Sequence, residues 1–208
     1  MPEGVLRVGL TGGIATGKSY VTRRLDEAGF PTIDADRLAR EAVAPGSPGL
    51  RAVVNRFGPD MLTEGGALDR AKLGALVFRD AAARADLEAL VHPEVRRRIA
   101  EWQERLLKNG YRGPLVADIP LLVETGRTGD FDAVVVVSCD PARQRARLIE
   151  RDGLSDVEAD QRIAAQWPIA EKVRVADYVV RTDGTFEETD AQIEVLVRQL
   201  RDRAASGR

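Results

Sequence analysis

The sequence predicts an α/β fold with a mostly parallel, five-stranded sheet, and three observations carry that prediction. Short apolar runs recur along the chain, bounded by turn residues and too short to be helices. Stretches with helical periodicity separate them, which predicts βαβ crossovers rather than hairpins. The composition suits a folded chain: 208 residues, 44% hydrophobic and 31% charged, are enough for one core carrying inserted pieces.

The elements follow in order. Val5–Leu10 is an apolar run and reads as the first strand, and Ser19–Ala28 is an amphipathic helix after it. Gly29 is placed to end that helix as its C′ residue. Pro31–Ile33 is a short second strand, followed by IDADRLAR, in which Asp34 or Asp36 is expected to cap a helix over Arg37–Val43. APGSPGL, from Ala44 to Leu50, is a turn. From about Leu50 to Asn109 strand signals give way to helical periodicity, so 50–109 reads as a helical insertion in the core. Within it His92 precedes Pro93, and Pro at the first helical position predicts a helix start with His92 at the cap. Arg96–Arg98 follow there and read as a solvated face, because three consecutive residues cannot share one side of a helix.

Pro114–Ala117 and Ala133–Ser138 read as the third and fourth strands, with Asp118 just past the end of the third. A second helical insertion, 141–175, is crowded with arginine, and Tyr178–Val180 is the fifth strand. Thr185–Arg203 closes the chain as a surface helix whose apolar positions are Phe186, Ile193, Leu196, Val197 and Leu200. The core is thus expected over about 5–49, 110–140 and 176–205. There is no internal repeat and no low-complexity tract.

The chemistry concentrates where strands end, as it does in open α/β sheets. VGLTGGIATGKSY, Val8–Tyr20, meets G-x-x-x-x-G-K-[ST] at Gly12, Gly17, Lys18 and Ser19, between a strand and a helix. This is a nucleotide triphosphate site on a P-loop NTPase three-layer core. Gly12, Gly13 and Gly17 let the backbone approach phosphate oxygens, and the N–H groups from Ala15 through Thr16 to Tyr20 sit at a helix N-terminus, which favours anions. Lys18 is expected on the β- and γ-phosphates, and the Ser19 hydroxyl on Mg²⁺, with Asp36 or Asp118 reaching the ion through water. The Asp pair after the second strand favours a hydroxyl acceptor, because a carboxylate can orient the hydroxyl and take its proton. Asp36 is the candidate base. Arg143, Arg147 and Arg151 are spaced to share a helical face and read as an arginine lid over 141–175.

Composition narrows the classes. A net charge of −2 gives no overall attraction to nucleic acid or anionic membranes, and the arginine run lacks interleaved aromatics. No apolar run approaches the ~20 residues of a membrane span, and the N-terminus does not read as a secretory signal. One cysteine, Cys139, suits a reducing cytoplasm and reads as a small buried hydrophobe rather than a nucleophile. A guanine-nucleotide switch is disfavoured: there is no N-K-x-D motif, and the D-x-x-G at Asp26–Gly29 lies on the helix after the loop. A nucleoside or nucleotide kinase of similar architecture is the competing enzyme reading.

GLTGGIATGKS, IDADRLAR, VHP, DIPLLVE, RQRARLIERDGLS, RIAAQWP and ADYVV, in this order, resemble the dephospho-coenzyme A kinase family from Val5 to about Leu200. The resemblance implies transfer of the γ-phosphoryl group of ATP, with Mg²⁺, to the ribose 3′-hydroxyl of dephospho-CoA. It implies a P-loop core, a helical CoA-binding insertion and an arginine-bearing lid. It makes Asp36 the base, places Arg40 and His92 near the acceptor and puts Arg147 on ATP. The cofactors are then ATP and Mg²⁺, and the chain is expected to be a cytoplasmic monomer or weak homo-oligomer. Departures from the family pattern fall at Ala15, where Gly is usual, and at Tyr20, which is expected to offer only its N–H. They also fall at Val123 and at Thr182–Asp183–Gly184, where an amide contact to nucleotide is in question. Ala15 is tolerated there without strain if its φ is negative.

Overall fold

Buried parallel strands are covered on both faces and therefore appear in sequence as nearly continuous apolar runs. The computed structural model, which describes residues 3–207, builds its sheet from those runs. Among the described residues the strands are β1 (Val5–Gly12), β2 (Thr32–Asp34), β3 (Gly113–Asp118), β4 (Ala133–Ser138) and β5 (Tyr178–Arg181). They form one five-stranded sheet in the order β2-β3-β1-β4-β5. Every pairing is parallel, with Leu10 beside Asp118, Gly12 beside Val137 and Asp34 beside Asp118. The expected strands are all present, each within two residues of its expected bounds.

The chain divides into two compact units, residues 1–34 with 110–208, and residues 35–109. The first holds the sheet with α1 (Lys18–Glu27), α6 (Pro141–Asp152), α7 (Asp156–Ala164), α8 (Ile169–Arg174) and α9 (Phe186–Ser206). Its core joins Leu6, Val8 and Leu10 of β1 and Val135 and Val137 of β4 to Val21 and Leu25 of α1 and to Ile193, Leu196 and Leu200 of α9. Gly29 N–H bonds Asp26 O and Phe30 N–H bonds Leu25 O, a Schellman closure of α1. Thr185 caps α9 in a reciprocal capping box with Glu188. Phe186, expected on the buried stripe of that helix, is instead 68% exposed as the first residue of α9.

The second unit is helical: α2 (Ala35–Ala42), α3 (Pro48–Phe57), α4 (Arg70–Arg79) and α5 (Ala81–Lys108), around a core of Val43, Leu50, Val53 and Leu73. One antiparallel bridge, Leu62 to Leu68, interrupts the helices. The unit begins at Ala35, whereas the sequence reading put the boundary near 50, because α2 packs on α5. Asp34, the expected cap, is the residue immediately before α2, and Asp36 lies in its first turn. One expectation fails here: His92 and Pro93 do not start a helix. They sit inside α5, whose cap is Asp80, accepting from the N–H groups of Ala82 and Ala83. A single helix has absorbed the proline and gone without one backbone hydrogen bond.

Candidate active site

The loop from Gly12 to Ser19 is shaped by close approach. A Cβ on Gly12 would lie 2.7 Å from Val137 O, and one on Gly13 would lie 2.7 Å from Gln144 Nε2, so neither position admits a side chain without displacement. Thr16 is fully buried and closes the loop by donating its hydroxyl to Gly13 O at 2.8 Å. Ile14 is gripped on both sides: its N–H donates to Gln166 Oε1 at 2.8 Å, and its carbonyl accepts from Gln144 Nε2 at 2.8 Å. Ala15 has φ +58°, so the condition for an unstrained alanine is not met, and the loop holds a left-handed residue there although it is not glycine. Tyr20 N–H donates to Gly17 O at 3.0 Å, an i→i−3 bond that tightens the first turn of α1. The N–H groups of Ala15, Gly17, Lys18 and Ser19 make no backbone hydrogen bond among the described residues. Together they form a cluster of donors at a helix N-terminus.

Lys18 pairs with Asp118 at the end of β3, and both side chains are largely buried. The other oxygen of Asp118 lies 2.9 Å from Thr22 Oγ1, which is also 3.0 Å from Lys18 O, so one hydroxyl proton serves either acceptor. Parallel register brings Asp118 beside both Leu10 and Asp34. Ser19 is exposed at the start of α1. Mg²⁺ is commonly held by one or two carboxylates together with substrate phosphates. The Ser19 hydroxyl and the Asp118 carboxylate are a donor set of that kind. No cluster of three or more His, Cys, Asp or Glu is found among the described residues.

A cavity of about 470 Å³ opens beside the loop, lined by Gly17, Tyr20, Arg143, Arg147, Thr182 and Phe186, among others. Arg147 Nη1 donates to Thr182 Oγ1 at 3.0 Å, and Nη2 to Thr182 O at 2.8 Å. Thr182 Oγ1 in turn donates to Thr16 O at 2.7 Å. The arginine of α6 is therefore wired to the loop through one buried hydroxyl. The Tyr20 ring stands 4.9 Å from that of Phe186, and its hydroxyl donates to Asp190 at 2.7 Å. That hydrogen bond, with burial second, raises the Tyr20 pKa. Arg143 joins Arg147 at the cavity, but Arg151 does not: it bonds Asp152.

In the helical unit, Arg40 and His92 line one groove of about 300 Å³. Its walls are apolar, from Leu68, Leu73, Val77, Leu87 and Val91, with Arg70 and Glu88 also present. Arg70 donates to Arg40 O at 3.0 Å, joining α4 to α2. Asp36 is exposed on α2. The Arg96–Arg98 run is a face of ion pairs: Arg97 with Glu94 and Glu101, Arg98 with Glu94 and Glu41. Hydrogen bonds from Arg97 and then Arg98 hold the Glu94 carboxyl at about 2.

Several residues at the loop carried no signal in the sequence reading: Thr22, Gln144, Gln166, Lys172 and the Thr182 side chain. Lys172 is fully buried beneath the loop, with Nζ 3.1 Å from Gly12 O. A shared helix face could have flagged Thr22, one turn from Lys18, but the others act across wide sequence separations. Cys139 is buried, and burial pushes its thiol pKa up, as suits a packing residue.

Residues 6–188 match the family model described as dephospho-CoA kinase. A dephospho-CoA kinase of Geobacillus kaustophilus is 47% identical over 93% of this chain and 96% of its own length. A crystal structure from Thermus thermophilus superposes with TM-score 0.82 at 33% identity, covering 95% of this chain and 99% of that one. A dephospho-CoA kinase from Campylobacter jejuni superposes with TM-score 0.71 at 26% identity, covering 95% and 98%.

Proposed function

Because this chain belongs to the dephospho-CoA kinase family, it phosphorylates dephospho-CoA in coenzyme A biosynthesis, and we propose that ATP, with Mg²⁺, is the donor and the ribose 3′-hydroxyl the acceptor. The observation that carries this reading is the loop itself. It clusters backbone N–H groups at the N-terminus of α1, beside Lys18 and the Asp118 carboxylate at the end of the neighbouring strand. Such a cluster stabilises charge on a transferring phosphoryl group without reorganisation.

The residues take the following roles. Gly12, Gly13, Ala15, Thr16, Gly17, Lys18 and Ser19 receive the phosphates, and Lys18 exchanges Asp118 for a phosphate oxygen. Tyr20 contributes its ring, facing the cavity with Arg147 and Arg143. Arg147 bears on the nucleotide and, like Lys18, stabilises the charge that develops. Ser19 and, through water, Asp118 hold Mg²⁺, which neutralises phosphate charge when bound. Asp36 orients the acceptor hydroxyl and takes its proton as the new P–O bond forms and ADP leaves. The groove with Arg40, Arg70 and His92 takes dephospho-CoA: cations suit its diphosphate, and the apolar wall suits its pantetheine arm. The segment 141–175 serves as the lid that excludes water, a competing acceptor.

We place the enzyme in the cytoplasm as a monomer or weak homo-oligomer; among the described residues no helix is long and apolar enough to cross a membrane. The test is transfer from ATP·Mg²⁺ to dephospho-CoA, with the phosphate position of the product assigned by mass and NMR. Label at the 3′-oxygen supports the reading. In Asp36→Asn, kcat is expected to fall about a hundredfold or more, the scale of general-base catalysis, while ATP affinity holds. Phosphate elsewhere on the product, or ATP affinity collapsing together with kcat, would refute these assignments.

A further inference from the structure

Lys172 is the largest fully buried side chain among the described residues, on the short helix α8. An ammonium has three donors, and all three are placed: 3.1 Å from Gly12 O, 3.1 Å from Pro120 O and 2.7 Å from Glu124 Oε1. The two carbonyls belong to different segments. Gly12 opens the phosphate-binding loop after β1, and Pro120 follows β3 beyond Asp118, the partner of Lys18. Thr11 Oγ1 reaches the same Pro120 carbonyl at 2.9 Å. Glu124, on that second segment, also accepts from Trp167 N–H at 3.2 Å.

Stability alone is a poor account of this arrangement. A buried ion pair can often be replaced by packed apolar groups at no loss, because the desolvation of two charges offsets their attraction. Here Glu124 Oε2 is buried and has no hydrogen-bond partner, so the pair is not even fully satisfied. What the pair does supply is position. It ties the first residue of the loop to the segment that carries the carboxylate facing Lys18.

We propose that Lys172, neutralised by Glu124, is a positioning residue for phosphoryl transfer: it fixes the carbonyl of Gly12, and so the mouth of the loop, in the geometry that receives the nucleotide's phosphates. This rests on the reading of that loop as the nucleotide site. Gln144 and Gln166 hold the next turn at Ile14, so α6, the α7–α8 connection and α8 together set the loop.

The test compares the full chain with Lys172→Met and with the double variant Lys172→Met/Glu124→Leu. The readouts are thermal melting, calorimetric binding of ATP·Mg²⁺, and kcat with KM for each substrate. The expected result is a loss of about a hundredfold in kcat/KM for ATP in Lys172→Met, the scale of a misplaced reacting group, with KM for dephospho-CoA unchanged. The double variant regains melting temperature by removing both charges, but it stays impaired toward ATP. Recovery of ATP kinetics together with stability would make the pair structural only and overturn the proposal. So would wild-type ATP binding in folded Lys172→Met, an equal rise in KM for both substrates, or failure of both variants to fold. If the unaltered chain binds no ATP, the nucleotide-site reading falls first, and this inference with it.

Discussion

Ala15 is the only non-glycine with positive φ among the described residues, at +58°. An L-residue in that region costs roughly 1–2 kcal/mol, because Cβ crowds the following carbonyl. Glycine would relieve this but gives back about 0.4–1 kcal/mol by loosening the unfolded chain. Ala15→Gly is therefore expected to stabilise the protein by about 1 kcal/mol net, raising Tm by roughly 2–4 °C for a chain of this size. Differential scanning calorimetry measures it, and a lower Tm would show that the methyl group earns its place by packing. The same residue marks the limit of what the sequence discloses at this scale. Lys18 and Ser19 were legible because the phosphate motif is contiguous and its chemistry is local. The φ of Ala15 was not, since it is imposed by neighbours: Thr16 folds back on Gly13, and Gln144 and Gln166 grip Ile14. Lys172 was invisible for the same reason, its partners being set by the sheet and not by spacing.

At the scale of elements, the strands were legible because burial on both faces leaves an unbroken apolar run in each. The start of α5 was misplaced at His92 because proline at a helix start is commoner than proline inside a helix. The cap at Asp80 carried the better signal. The link between α6 and the loop could not be read at all, because it passes through one hydroxyl just after β5, two strands from β1 and far away in sequence. Thr182 accepts from Arg147 and donates to Thr16 O, so one side chain joins β5, α6 and the turn into α1. Thr182→Val keeps the shape and deletes the hydroxyl. The Thr16 carbonyl loses a buried donor and Arg147 keeps only the backbone acceptor, a loss of about 1–3 kcal/mol. ATP affinity by calorimetry is expected to weaken about tenfold or more, since 1.4 kcal/mol is one decade. KM for dephospho-CoA should not change. Unaltered ATP affinity would mean that Arg147 is positioned without Thr182.

For the whole molecule, the two units share a dependence on acid-labile ion pairs. In the helical unit, Glu94 accepts from Arg97 and Arg98, and these hydrogen bonds bring its pKa from 4.5 to about 2. In the sheet unit, burial pushes the Asp132 carboxyl up, but the side chain and backbone N–H of Arg7 outweigh it, and the pKa ends below the usual 3.8. Both are depressed in the folded state. The sign follows from linkage: the unfolded chain binds the proton more readily, so the stabilisation is complete above the unfolded values and is lost as pH falls through the folded ones. Tm is therefore expected to hold above about pH 5 and to decline below it, the Glu94 contribution fading between 4.5 and about 2. Glu94→Gln separates this pair from other acid effects. It should melt below the unaltered protein at pH 7, and the gap should close as the pH approaches 2, because the protonated glutamate then resembles glutamine. Asp132→Asn should behave likewise, with its gap beginning to close only below 3.8. A gap that persists undiminished at the lowest pH would assign the loss to packing around these side chains, and the charge of the pair would then contribute nothing to holding either unit together.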